Sequence, residues 1–257
     1  MPSPARRADP SPRHLEERSL NAWPGAQQAL YDGWLVRFSE GYTKRANCAV
    51  PFYPGSLEPA GKVSWCEEAY GRRGLPAIFK ILPFAEPRDL DDLLARRGYE
   101  RCDLTLVMCR DLAVPLTVAP ACGSAVETGV DGAYLEEYAR LNRIPAACVG
   151  NFADILGRTP GEVGYASIRR RGHLVACGLG ILEGAHLGLY GIATCPDWRR
   201  RGLGRALVQS LLHWGVRAGG RCAYLQARLG NEAALALYEA EGFGPSYEYW
   251  YRVQASA

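Results

Sequence analysis

The sequence predicts an α/β (α+β) chain built as two similarly ordered halves. Runs with strand-like and helix-like patterning alternate along its length. A proline-containing connector without a helical stripe, DLAVPLTVAPACGSA, interrupts them near the middle. The order of elements before that connector then recurs after it. GLPAIFKIL…LDDLLARRGY parallels GGRCAYLQA…LALYEAEGF, each reading glycine, strand, helix, glycine, aromatic, strand, over spans 74–98 and 220–242. Such a match reads as internal duplication. The expected division is a disordered tail (1–18), a first half (19–112), a linker (113–124) and a second half (125–257).

Taken in order, the proline-rich start MPSPARRADPSPRHLEER lacks an apolar stretch and reads as a loose tail rather than a signal peptide. Residues 26–30 are expected as a short helix. GWLVRFSEGYTKRANCAVPF has β-rich runs on both sides of Glu40-Gly41 and predicts a hairpin. Val63, Cys66 and Tyr70 share a helical stripe, AIFKIL is a strand, and Leu90, Leu93 and Leu94 line a helix opened by Pro87 and stopped by Gly98. Residues 99–109 are strand-like. In the second half, 134–141 is helical, and GYASIRRRGHLVACGLGILEG is a hairpin turning at Arg171-Gly172. HLGLYGIATC is a buried strand. Apolar residues at 203, 206, 207, 210, 211 and 214 give a clean 3.6-residue period, ended by Gly219-Gly220. CAYLQA is a strand, Asn231 N-caps a helix closed by Gly242, and YEYWYRV is a final strand.

Composition excludes several classes. A net charge of +3, with 27 acidic residues among the basic ones, is too small for a non-specific nucleic-acid binder. The nine cysteines are never at C-x-x-C spacing and the four histidines are dispersed, so no metal is expected and the thiols read as core residues of a reducing compartment. No apolar run approaches the roughly 20 residues of a membrane span. A cytoplasmic protein is expected, with monomer and homodimer both open.

The chemistry is concentrated in TCPDWRRRGLGRALVQ, residues 194–209. A dinucleotide fingerprint fails because Leu207 stands where the third glycine belongs, and a phosphate loop of the Gly-Lys-Ser/Thr type is absent. What remains is a strand, a proline, an Arg-x-x-Gly-x-Gly turn and a helix start. Unpaired N–H groups and the helix dipole there favour a pyrophosphate, glycines let its oxygens approach, and guanidiniums add charge-assisted bonds.

Arg199-x-x-Gly202-x-Gly204 resembles the Q/R-x-x-G-x-G/A motif of the GNAT acyltransferase superfamily. Asn231 and Tyr238 fall at the spacing of that family's cofactor-contacting asparagine and of its tyrosine near the thioester sulfur. The resemblance covers about residues 125–253. It implies GNAT-like halves, each a mixed, mostly antiparallel twisted sheet flanked by helices, and acetyl-CoA as co-substrate. It further implies that the backbone of Ile192, Ala193 and Thr194 pairs with the pantetheine arm. Arg199, Arg200, Arg201, Gly202, Leu203, Gly204 and Arg205 would cradle the pyrophosphate, with Trp198 beside them. Asn231 would contact the cofactor, and Tyr238 would be the general acid for N-acetylation of a primary amine on a small molecule or peptide. A non-catalytic acyl-CoA-binding sensor is the alternative.

The amine also needs a base. Glu183 and His186, flanking the turn into the cofactor strand, and Tyr190 on that strand are candidates with none preferred. The first half lacks the arginine–glycine motif, and Leu94 and Pro87 stand where Tyr238 and Asn231 stand, so it resembles the inactive copy of a tandem GNAT protein. Tyr42, Lys44, Arg45 and Asn47 are expected on one short strand, either as an exposed edge or as a wall of the acceptor pocket. Arg37, Tyr42, Arg45 and Tyr190 are the candidate acceptor contacts, with Arg37 or Arg45 meeting an acidic part of the acceptor.

Overall fold

A computed structural model describes residues 10–114, 116 and 123–255; residues 1–9 of the expected tail and most of the expected linker lie outside it. Residues 12–18 are not tail. Ser11 caps a helix by accepting from the His14 N–H at 3.3 Å, Pro12 takes the first helical turn, and α1 runs Pro12–Ala22 with Leu15, Glu16, Ser19 and Leu20 buried.

The expected helix at 26–30 is instead strand β1 (Gln27–Tyr31), paired antiparallel with β2 (Trp34–Phe38). The cause is the Asp32-Gly33 turn. Both residues have positive φ, 44° and 84°, the conformation of a two-residue turn whose twist matches the strands it joins. After β2, a loop and a 3-10 turn (Lys44–Ala46) lead into β3 (Ala49–Pro51). Tyr42, Lys44, Arg45 and Asn47 therefore lie in a loop, not on a strand. The buried Asn47 side chain organises it, accepting from the N–H of Ser39 and Gly41 and donating to the carbonyls of Ser39, Tyr42 and Thr43. The half continues through α2 (Pro59–Gly71), β4 (Ile78–Ile81), α3 (Leu90–Arg96) and β5 (Glu100–Asp111).

The second half follows as β6 (Ser124–Glu127), α4 (Gly132–Leu141), α5 (Val149–Arg158), β7 (Glu162–Arg170), β8 (His173–Glu183) and β9 (His186–Thr194). It closes with α6 (Leu203–Arg217), β10 (Cys222–Arg228), α7 (Glu232–Ala240) and β11 (Gly244–Val253). The strands form one 11-stranded sheet in the order β1-β2-β3-β4-β11-β5-β10-β9-β8-β7-β6. Only β3–β4 and β9–β10 are parallel, so the sheet is mixed and mostly antiparallel, as expected.

The halves do not keep separate sheets. Each gives its last strand to the other: β11 lies between β4 and β5, and β5 lies between β11 and β10. The registers support the duplication. Glu100 faces Val253 while Cys109 faces Gly244, a pairing that maps onto itself when the closing glycines Gly98 and Gly242 are exchanged. Ile78 faces Val253 on one side, and Tyr224, equally far past its own opening glycine, faces Cys109 on the other.

One face of the sheet carries Tyr190, Tyr224, Tyr247, Tyr249 and Tyr251 under α1, α4 and α5. The other face is split between two cores. Trp34 and Phe79 of the sheet pack with Tyr70 of α2 and Leu94 of α3, and Leu225 of the sheet with Leu207, Leu211 and Trp214 of α6. Among the described residues no helix is long and apolar enough to cross a membrane.

The entry into α2 corresponds to the entry into α6 but is filled from within. The Asp32 carboxylate accepts from the N–H of Ser56 and of Leu57, both at 2.9 Å, and pairs with Lys62 at 3.1 Å. Beside it, the segment after β4 closes the gap next to β3: the Glu86 N–H donates to the Pro51 carbonyl at 3.2 Å, and Trp34 Nε1 donates to the Glu86 carbonyl at 2.9 Å. The N–H bonds from Ser56 and Leu57 hold the Asp32 carboxyl well below the usual carboxylate range. Its contribution is therefore complete at neutral pH and is lost as pH falls from the ordinary value near 3.8 toward the lower folded value. Asp32→Asn is expected to lower the thermal midpoint at pH 7 by a few degrees, and the gap from wild type should narrow on acidification below pH 4; thermal scans across pH measure both.

Candidate functional site

The site forms where two parallel strands part. β9 and β10 pair from His186↔Cys222 to Leu189↔Leu225 and no further, while β9 stays with β8 as far as Thr194↔Ala176. Gly191 makes the divergence possible. It has φ +56°, beside an irregularity in the β8–β9 register between Cys177 and Leu179. The space its missing Cβ leaves is taken by the hydroxyl of Tyr138, a buried α4 residue stacked on Phe152 at 4.9 Å. Beyond that point the Cys195 N–H donates to the Val175 carbonyl at 2.8 Å. Strand alternation then turns the backbone of Thr194 and Ile192 away from β8, into the opening. Ala193 was grouped with them in the sequence, but its backbone faces β8 and is not available to an added strand.

The loop after β9 supplies an N–H cradle. A 3-10 turn (Pro196–Trp198) leads to Arg199 in extended conformation, Arg200 at φ +60° and Gly202 at φ +74° as N-cap of α6 without a side-chain cap. The Ala206 N–H donates to the Gly202 carbonyl at 3.0 Å, so the N–H groups of Leu203, Gly204 and Arg205 precede the helix ladder and point out of its positive end. Among the described residues a Cβ at Gly204 would meet only Leu237 and Thr194, at ordinary contact distances, so their packing does not require glycine there.

The arginines divide. Arg199 Nε reaches the Thr194 carbonyl at 3.4 Å, and Arg201 lies 4.9 Å over the Trp198 ring, which places Trp198 beside the loop as expected. The Arg205 side chain is drawn away, donating at 2.6 Å to Glu241, so only its backbone faces the cradle.

Asn231 caps α7, its Oδ1 accepting from the Ala234 N–H at 3.3 Å. Two helical turns on, Tyr238 is 9% exposed, edge-on to Phe243 at 6.1 Å, in the same apolar cluster as Leu203, Leu189 and Ala227. Its hydroxyl makes no hydrogen bond among the described residues, and burial pushes its pKa up to about 12.

The opposite face of the opening is polar and ordered. Tyr190 and Tyr224 share a hydrogen bond of 2.9 Å, Tyr249 donates to Gln226 at 2.9 Å, and Gln226 donates to Ser19 of α1. Burial raises the Tyr190 hydroxyl to about 12 despite that bond. Tyr42 is half-buried beside this core, its hydroxyl likewise pushed to about 12. Arg45 lies between the rings of Trp23 and Tyr190, at 5.6 and 5.7 Å.

Arg37 is not an acceptor contact. It is 1% exposed and donates to the carbonyls of Arg45, Leu20 and Trp23, stapling the end of α1 to the loop after β2. Glu183 and His186 are also misplaced for a base. They sit at the hairpin end of β9, roughly 26 Å along the strand from Thr194. Glu183 there is bound by Arg18 and Asn21, and His186 packs on His14 at 4.7 Å, with burial lowering its pKa. Ser19, Trp23 and Gln226 were missed. The Ser11-Pro12 helix start was the signal that could have brought α1 to the site. Among the described residues no group of three metal-binding side chains converges.

The family described as "Probable histone acetyltransferase Rv0428c C-terminal" matches residues 11–252. "Uncharacterized N-acetyltransferase YobR" from Bacillus subtilis (strain 168) is 27% identical over 246 residues, 94% of this chain and 98% of that protein. A solved GCN5-related N-acetyltransferase from Kribbella flavida superposes with a TM-score of 0.72 at 17% identity, covering 97% of this chain and 98% of the other. A tandem GNAT protein from the clavulanic acid biosynthesis pathway superposes at 0.57 and 16% identity, over 77% of this chain and 70% of its own. At those identities the two structures show the fold.

Gly191→Ala should destabilise the protein. Positive φ alone costs an alanine about 1–2 kcal/mol, and its Cβ would stand on the Tyr138 hydroxyl. A chemical-denaturation midpoint lowered by more than that strain alone, partly restored by adding Tyr138→Phe, is the expected result.

Proposed function

The chain belongs to the family of the probable histone acetyltransferase Rv0428c C-terminal region, a GNAT N-acetyltransferase family, and on that premise we propose that it moves an acetyl group from acetyl-CoA to a primary amine of a small molecule or peptide. The observation that carries this reading is the open strand pair ending at the N–H cradle that starts α6. Ile192 and Thr194 offer outward backbone groups to the two amides of a pantetheine arm, as an added strand would receive them. The N–H groups from Arg200 to Arg205, at the positive end of α6, receive a pyrophosphate, and Arg199 to Arg201 supply its counter-charge. Asn231, the cap of α7, is the proposed further contact of the cofactor.

The residues present fit such a ligand, because glycine at 204 leaves room that the protein itself does not use. The cofactor supplies an activated thioester. The chain's part is to align the amine, to hold the carbonyl oxygen with a strand N–H, and to manage two protons. The attacking nitrogen loses one proton as the C–N bond forms, and the departing sulfur gains one as the C–S bond breaks.

Tyr238 is the group for the second task. Its apolar surroundings keep it protonated across the working pH range, and the proton it passes to sulfur is made good by the one the amine releases. Tyr238→Phe should lower kcat by at least about 100-fold, with the Kd for acetyl-CoA within about threefold of wild type. Thiol-release kinetics and isothermal titration measure the two quantities. A wild-type kcat would remove Tyr238 from the chemistry. Cofactor binding with no turnover of any amine would point to an acyl-CoA sensor.

A further inference from the structure

On the sheet face opposite α6 and α7, a cavity of about 580 Å³ opens between the loop after β2 and the central strands. Arg45, Lys44, Asp103, Gln226, Arg228 and Tyr249 are in its wall. Gln226 is the first β10 residue beyond the last β9 partner, and Arg45 sits over Tyr190, the facing residue on β9. The cavity therefore touches both lips of the opening at the point where the strands part. An acceptor lying there presents its amine to whatever the opening holds. The volume suits a small molecule or a chain end.

The charges in the wall are not equivalent. Asp103 is taken by Lys44 at 2.9 Å and by Arg228 at 2.8 Å. Arg45 has no carboxylate within ion-pair distance among the described residues. Its neighbours are the rings of Trp23 and Tyr190, with Tyr249 beside it in the same wall. Ring faces fix the guanidinium in place but accept little from its five N–H donors. A cation shielded by aromatics and without a counter-ion favours an anion that can use both prongs of its fork. Asp103 on the same wall disfavours a multiply charged group.

We propose that the amine acceptor carries a carboxylate and that Arg45 receives it. This rests on the acetyl-transfer reading and names its substrate class. The test uses full-length protein, acetyl-CoA and matched acceptor pairs, each an amino acid, ω-amino acid or dipeptide beside its carboxamide. The acid member should show a kcat/KM at least tenfold above its amide. Arg45→Gln should bring that ratio near one and Arg45→Lys should keep part of it, with the calorimetric Kd for acetyl-CoA within twofold of wild type throughout.

Equal use of acid and amide by the wild type overturns the proposal without need of any variant. So does acetylation of no acid member, or an unchanged ratio in a folded Arg45→Gln. In each of those cases intact acetyl-CoA binding leaves the acetyl-transfer reading standing. Failure to bind acetyl-CoA removes both.

Discussion

The antiparallel pairing of β5 with β11 is the contact on which the rest of the structure depends, because each strand completes the sheet that the other half began. A lone half would end at β4 or β10 with an edge of unpaired N–H and C=O groups. Exchange removes both edges at once and merges one face of the two halves into a single tyrosine-rich surface. α1 lies on that surface and is pinned by a buried pair, Glu16 with Lys80, to which Tyr247 adds a hydrogen bond at 2.7 Å. Two charges so deep are tolerable only when each is fully met, and removing one partner of such a pair costs about 3–5 kcal/mol. The pair fixes α1 over the junction, and α1 carries Ser19 and Trp23 to the lips of the opening.

The halves share a backbone plan and differ in what occupies it. At the entry to α2, Asp32 supplies a carboxylate to the loop N–H groups, and the segment after β4 closes the gap beside β3. At the entry to α6, the corresponding N–H groups have no acceptor among the described residues, and Gly191 with Tyr138 holds the gap beside β9 open. The first half has thus closed its loop with its own carboxylate, and on the proposed reading the second keeps the equivalent place for a ligand. The first half still serves the site through the loop after β2, which delivers Arg45 to the cavity wall.

Much of this was legible before any coordinates. The periodic stripe of α6, the hairpin at Arg171-Gly172, the cap at Asn231 and the glycine turn that starts α6 are local signals, and local signals survive into the fold. The misses have physical causes. The tail's prolines masked a helix start, since proline is as welcome in a first helical turn as in a disordered segment. Residues 26–30 have no decisive local preference, and the Asp32-Gly33 turn that makes them a strand lies outside the run. Arg37 and Arg45 look alike in sequence. Only burial separates a guanidinium spent on three carbonyls from one facing a cavity. Strand exchange is non-local and leaves no mark on the residues of either strand.

The central claim is that one of two related openings, and only the second, receives acetyl-CoA. Amide hydrogen exchange, measured with and without saturating acetyl-CoA, tests it most directly. The account predicts new protection at residues 190–194 and 200–205, with no change at 51–60, where Asp32 already holds the loop. Protection at 51–60, or no change at either place, would contradict it.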